Sequence, residues 1–308
     1  MPNYTYDDDE VLKNLFGVRD ARTLEELELR FVEARNAEIL NGHGPAGQFD
    51  TEHLKAVHQH LFQDVYEWAG HTRDERITLA DATVASEPVM RKPEGVPFTH
   101  GPLIAPALDT LADRLRQDGY LRGLPRAEFA KRAADVMAGL NAIHPFREGN
   151  GRAQRMFMTE LAKEAGHGLD FSTISQERMA QASIAAHERG DNGMMRRMFD
   201  EISNPERVAA LHRAIHTFDR EGFAWNGHYL ATTEPGHPVE LTMAGVAGDN
   251  FMGRTRTEIL IGKASDLPQD RPARGEVFTL TPSPWGLVRS AVRVAEEQDR
   301  DIRGSEDD

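Results

Sequence analysis

Apolar residues recur at intervals of three and four from Thr23 to about residue 216, a spacing that a helix satisfies and a strand does not. Leu54, Val57, Leu61, Val65 and Trp68 make one stripe. Ile104, Leu108, Leu111 and Leu115 make a second, and Phe129, Val136, Leu140 and Ile143 a third. Thr23 with Glu26 reads as a capping box for the first helix, and Asn41–Gly42 as its stop. Pro145 ends the helix that carries the third stripe, and a new helix is expected from Gly151 or Arg152 to Gly166. Beyond Glu221 the pattern shortens. Residues 228–233, 239–246, 257–262 and 276–281 are β-rich runs separated by Gly-, Pro- and Asp-rich turns, which predicts a small barrel or sandwich. The expected fold class is a mainly α-helical domain over 1–216, a small β domain over 217–285, and a short helix with a frayed tail over 286–308.

Composition narrows what such a chain can do. The 308 residues include no cysteine, which excludes disulfides, thiolate zinc sites and a cysteine nucleophile. With 36 Lys and Arg against 50 Asp and Glu the formal charge is −14, the opposite of a surface built to wrap nucleic acid. The first thirty residues lack a basic-then-apolar leader, and no apolar run is long enough to span a membrane, so a soluble chain is expected.

Two segments stand outside the periodic pattern. Residues 71–102 form a long insertion without helical or strand spacing, and loops of that length in compact domains are usually functional or disordered. Residues 143–155, IHPFREGNGRAQR, form a helix–loop–helix junction dense in chemistry. Gly149, Asn150 and Gly151 precede a helix, where main-chain N–H groups and the helix dipole attract an anion such as phosphate. Arg152 and Arg155 lie three apart on the first turn and can clamp phosphate oxygens, as a di- or triphosphate requires. Glu148 offers a hard oxygen for a magnesium ion on those phosphates. His144, with an ordinary pKa of about 6.5, can accept a proton at neutral pH. Together these suit phosphoryl or nucleotidyl transfer to a hydroxyl. Each also has a plainer reading: the histidine as a helix-end contact, the arginines as solvated charges, and Phe146 as an apolar anchor, the reading we keep for it.

Other signals carry less. His212 and His216 are four apart on a helix with no third metal ligand nearby, and His53, His58 and His60 read as helix-surface residues. Neither a Walker A loop nor a Gly-x-Gly-x-x-Gly turn after a strand is present.

The run HPFREGNGRAQR resembles the Fic-family motif His-x-Phe-x-(Asp/Glu)-Gly-Asn-Gly-Arg-x-x-Arg at every specified position. LKAVHQHLFQDVYEWAG resembles the helix ahead of that family's flap. The region from Ser203 to Gly236 resembles the Bartonella effector (Bep) branch, in which an OB-like barrel follows the Fic domain and a type IV secretion domain follows the barrel. The resemblance implies a Fic-fold domain with an OB-like β domain, acting as an adenylyltransferase that moves AMP from ATP to a Ser, Thr or Tyr hydroxyl of a target protein, small GTPases included. It implies His144 as base, Glu148 as Mg2+ ligand, Gly149, Asn150, Gly151, Arg152 and Arg155 as the ATP phosphate site, and Phe146 as anchor. The 71–102 insertion becomes a flap that positions the target, with Arg73, Asp74, Arg76 and Lys92 as candidate contacts. Localisation would be the bacterial cytoplasm before secretion and the host cytoplasm after it. Inhibition is expected from a small antitoxin that supplies a glutamate to Arg155, although TFDREG, Thr217–Gly222, also fits the family's inhibitory pattern. Alternatives within the fold are another nucleotide donor, phosphocholine transfer, AMP removal or a Doc-like kinase, which Gly151 disfavours. A non-enzymatic adaptor is the alternative outside it.

Overall fold

The computed structural model describes residues 4–6, 10–91 and 95–286. The chain separates into two compact units, one of residues 1–171 with Met179–Asp200, the other of Ser172–Arg178 with the chain from Glu201 on.

The first unit is helical. Helix α1, Ala21–Glu38, starts one turn before the expected box: Asp20 is the cap, and its carboxylate accepts the Thr23 N–H at 2.8 Å. A tight turn over Ile39–His43 follows, broken at Gly42 with φ 84°. Asp50 caps α2, Thr51–Phe62. Helices α3, Ile104–Gln117, α4, Arg126–Ile143, and α5, Asn150–Glu164, complete the frame, with α5 packed on both α2 and α4. Leu54, Leu61, Phe62, Trp68, Phe129, Phe146 and Phe157 fill the core. Inside the 71–102 insertion the chain forms a hairpin of β1, Ile77–Thr78, and β2, Val84–Ala85, with Ile77 opposite Ala85. Strands of two residues carry no alternation, which is why the sequence showed none. Helices α6, Gln176–Arg189, and α7, Gly193–Ile202, lie mostly in this unit.

The second unit joins helix α8, Pro205–Glu221, to a five-stranded sheet. The boundary expected at residue 216 falls inside α8, which Asn204 caps at one end and left-handed Gly222 closes at the other. The strands are β3, Tyr229–Thr232, β4, Val239–Ala247, β5, Asn250–Arg254, β6, Glu258–Lys263, and β7, Val277–Leu280, in the order β3-β6-β5-β4-β7. Sequence reading took β5 for a turn, because Gly248 and Asp249 precede it and Gly253 interrupts it. Gly253 packs closely there, since a Cβ would lie 2.9 Å from the Leu241 side chain, which would have to shift. Among the described residues no pairing joins β3 to β7, so the expected barrel is an open mixed sheet with a parallel β3–β6 edge. Leu230 of β3 and Ile259 and Ile261 of β6 pack instead against Ala210, Leu211 and Phe218 of α8. Beneath them Glu201 is fully buried. Burial alone would raise its pKa, but Arg178 and Arg207 hold it below the carboxylate range, and the Thr232 N–H donates to it at 2.6 Å. The expected helix over 286–308 lies outside the described residues from 287 on. No helix among the described residues is long and apolar enough to cross a membrane.

Candidate active site

His144 stands one residue past α4 in the left-handed region, φ 50° and ψ 61°, with its N–H bonded to the Leu140 carbonyl at 3.0 Å. A non-glycine residue keeps that conformation only where its surroundings hold it. Gln154 Nε2 donates to the same Leu140 carbonyl at 3.0 Å and ties α5 to the end of α4. Arg73 Nε donates to the His144 carbonyl at 2.9 Å. The imidazole itself stacks on Phe98, centroids 3.9 Å apart, and Phe98 in turn stacks with His187 of α6 at 4.8 Å.

The loop then turns around Phe146, which is fully buried, as expected of an anchor. Asn150 clamps that residue's backbone from both sides: its Oδ1 accepts the Phe146 N–H at 2.9 Å and its Nδ2 donates to the Phe146 carbonyl at 2.7 Å. The Asn150 side chain is therefore occupied in shaping the loop, and only its main-chain N–H stands at the start of α5. His58 stacks on Phe146 at 3.8 Å. Its Nδ1 accepts the Gly70 N–H at 2.9 Å, so Nε2 carries the proton and donates to the Glu148 carbonyl at 3.0 Å. Burial pushes its pKa down to about 3, and the ring is neutral. His58 is thus a buried brace of the loop rather than the helix-surface residue expected, and His53 is buried as well. Spacing held the clue: His58 falls four residues after Leu54 and three before Leu61, within the apolar stripe.

Gly149, φ 78°, opens α5, and a Cβ there would lie 2.3 Å from Phe62 Cζ, so no other residue fits. Its N–H donates to Glu148 Oε1 at 2.9 Å. No side chain caps α5, which leaves its first turn open to an anion. Arg152 Nη1 lies 2.5 Å from Glu28 Oε1 and Nη2 lies 3.4 Å from Glu148 Oε1, with the guanidinium 4.8 Å above the Phe62 ring. Glu28, buried in α1, also accepts the Tyr66 O–H. Sequence reading missed Glu28 and Tyr66 as parts of the site, since nothing local couples them to Arg152. Burial and the neighbouring Arg152 pull the Arg155 pKa below the usual guanidinium value, and among the described residues no carboxylate pairs with it. Two guanidiniums, that of Arg152 answered by Glu28 and Glu148, thus stand at an uncapped helix N-terminus beside the histidine loop.

The flap candidates divide. Arg73 is fully buried, so it meets no target; its place is corrected to the loop's interior, where folding turns its side chain onto main-chain carbonyls. Asp74 is half-buried, Arg76 is exposed, and Lys92 lies outside the described residues. Thr217–Gly222 forms the last turn of α8, where the Thr217 hydroxyl bonds to the Arg213 carbonyl and Gly222 supplies the left-handed stop.

A profile described as the Fic/DOC family matches residues 48–162, which span α2 to α5 and the whole loop. A protein adenylyltransferase of Bartonella henselae is 36% identical over 271 residues, covering 87% of this chain and 49% of that protein. The solved type IV secretion system effector protein BepA superposes with a TM-score of 0.85 at 34% identity, covering 92% of this chain and 97% of the other. The chain belongs to the Fic family. It spans about half the length of the curated relative it matches. A further Fic structure, BepC of Bartonella tribocorum with bound AMPPNP, has a TM-score of 0.64 at 41% identity, covering 66% of this chain and 97% of that one. The likeness to BepA extends past the Fic domain into the sheet, as the resemblance from Ser203 onward led one to expect.

Glu148 also bears on the magnesium ion. The described residues hold no cluster of three or more metal-ligating side chains, and Glu148 is a single, 44% exposed carboxylate just before the start of α5. That donor set fits a magnesium ion that arrives on nucleotide phosphates and keeps waters, and it does not fit a protein-built cage.

Proposed function

We propose that this chain is the catalytic part of a protein adenylyltransferase, which moves AMP from ATP to a Ser, Thr or Tyr hydroxyl of a target protein and releases pyrophosphate. The observation that carries the reading is the single loop that joins His144 to the uncapped start of α5, with Arg152 and Arg155 on its first turn. The target hydroxyl oxygen forms a bond to the α-phosphorus, the bond to the pyrophosphate oxygen breaks, and the hydroxyl proton passes to the His144 imidazole. The main-chain N–H groups of the first turn and the two guanidiniums bind and orient the phosphates and stabilise the negative charge that builds there. Glu148 would hold magnesium, which when bound neutralises phosphate charge. Glu148 accepts the Gly149 N–H through Oε1, which leaves Oε2 for a cation.

The flap is the target-facing element of this reading, with exposed Arg76 and Arg91 rather than Arg73 as its charged contacts. Small GTPases are one target class the resemblance brings in. An antitoxin glutamate is the proposed partner of Arg155, supported by the lack of a carboxylate partner for that arginine among the described residues. Kinship with BepA supports delivery to a host cell through type IV secretion, and the open sheet is read as an OB-like scaffold.

The test is parallel incubation of the protein and host-cell lysate with α-labelled and with γ-labelled ATP. Protein labelled from the α position only, with an added AMP by mass spectrometry, is the expected result. Transfer of the γ label points to a kinase, and no transfer of either overturns the reading in favour of an adaptor.

A further inference from the structure

Arg73 carries a guanidinium that is fully buried and answered by main-chain carbonyls. Nε donates to His144 at 2.9 Å, Nη1 to Glu87 at 3.0 Å, and Nη2 to Thr99. Its backbone takes part too: its N–H donates to the Pro145 carbonyl at 2.7 Å, and its carbonyl accepts the Glu87 N–H at 2.5 Å. Glu87, whose main chain joins this network, is itself paired with Arg147 at 2.7 Å. Burying a charge whose hydrogen bonds all go to main-chain carbonyls is costly even with Glu87 and Asp74 near enough to attract it, and an apolar side chain would fill the same space without that cost. What the apolar residue lacks is the planar fork, which reaches three separate points of the chain at once. Those points are the backbone of the histidine loop and the two legs of the flap, at Glu87 and Thr99.

We propose that Arg73 is the positioning residue that joins the flap to His144. It fixes the His144 carbonyl, and hence the left-handed backbone from which the imidazole projects, in register with both flap legs. The N–H of Thr99 adds a second tie, to the Ala142 carbonyl in the last turn of α4 at 3.2 Å, so the fork closes a frame already begun by the main chain. A target segment seated on the flap is thereby referred to the same rigid body as the base. Arg73 touches none of the phosphate-binding groups at the start of α5, and ATP affinity does not depend on it. The kinetic part of this proposal rests on the AMP-transfer reading; the structural part does not.

The variants are Arg73→Lys, which keeps the charge but loses the fork, and Arg73→Met, which loses both. Each is measured in the whole chain for AMP transfer at saturating ATP, for KM of ATP, and for amide hydrogen exchange. In Arg73→Lys the transfer rate should fall about tenfold or more, with KM for ATP changed by less than about twofold, because orientation rather than binding is lost. Exchange at the amides of Glu87, Thr99 and His144 should accelerate together. An unchanged rate, a rise in KM that matches the fall in rate, or loss of the fold in both variants overturns the proposal and leaves Arg73 a brace of the core. If the wild-type chain transfers nothing, the functional reading fails and exchange alone decides. Joint acceleration at the three amides then supports the coupling, and acceleration at one of them alone refutes it.

Discussion

The ring of Phe98 lies on the ring of His144 with centroids 3.9 Å apart and planes only 8° from parallel. Phe98 belongs to the flap, where its N–H bonds to the Met90 carbonyl at 3.0 Å, and it is buried. One face of the proposed base is thus covered by the element that would present the target. A face so covered cannot rotate freely, which leaves the imidazole with few orientations.

Phe98→Ala should therefore free the imidazole as well as open a hole. Stability should fall by roughly 3 kcal/mol, the usual cost of deleting a buried aromatic ring, and AMP transfer should fall while ATP affinity measured by calorimetry holds. A folded variant with wild-type transfer would reduce the stack to ordinary packing.

In the proposed reading the loop separates the transfer step from nucleotide binding. His144→Ala should abolish label transfer and leave ATP binding intact, because the phosphate site is built by α5. Glu148→Ala should lose most magnesium-dependent transfer. Activity titrated against magnesium checks the second variant, and an unchanged magnesium dependence would make Glu148 purely structural.

The two glycines that flank Asn150 should respond differently to alanine. At Gly149 a Cβ meets Phe62 at 2.3 Å on a backbone of φ 78°, so Gly149→Ala should cost about 2 kcal/mol or more through strain and displacement. At Gly151 the nearest atom is the flexible end of Arg155 at 3.3 Å, so the fold should tolerate Gly151→Ala while ATP affinity weakens as Arg155 is pushed aside. Thermal unfolding of the two variants, beside their ATP titrations, separates these effects; equal loss of stability in both would contradict the assignment.

His58 predicts an acid limit to stability. Its folded pKa, about 3, lies below the ordinary 6.5, so the unfolded chain takes up the proton first. The stabilisation it provides is complete above about pH 6.5 and is lost as pH falls from there toward 3. Asn lacks a group that titrates there, so His58→Asn should start less stable at neutral pH and lose less on acidification. Identical acid slopes in the two proteins would show that His58 is not the titrating group.

Glu160 works in the opposite sense. It sits 3.6 Å from His53 Nε2, yet burial raises its pKa to about 7 and lowers that of His53, so the two meet as neutral groups rather than as an ion pair. The unfolded chain releases this proton near 4.5, so the contribution of Glu160 is complete below that pH and is lost as pH rises through 7. Glu160→Gln should match the wild type near pH 4 and be the more stable at pH 8. A wild type that is equally stable at pH 8 would mean that Glu160 ionises normally.

The sequence by itself determined the helical frame, the junction at Pro145 and the start of α5 within a residue or two, and it put the proposed site residues His144, Glu148, Arg152 and Arg155 within a dozen positions. Each of these is written in local spacing: apolar intervals of three and four, a proline, and charged groups within a dozen residues. The burial of Phe146 was legible for the same reason. Tertiary structure alone decided what surrounds that set. Glu28 reaches Arg152 and Tyr66 reaches Glu28 from distant parts of the chain, Phe98 covers His144 from the flap, and Arg73 turns inward although an arginine in a charged loop reads as exposed. The sheet divides in the same way, with its β-rich runs visible and its open, partly parallel order hidden. Periodicity reports which face of an element avoids water, but the partner that covers it, and the carbonyls left for a buried guanidinium to bind, are settled only when segments far apart in sequence pack together.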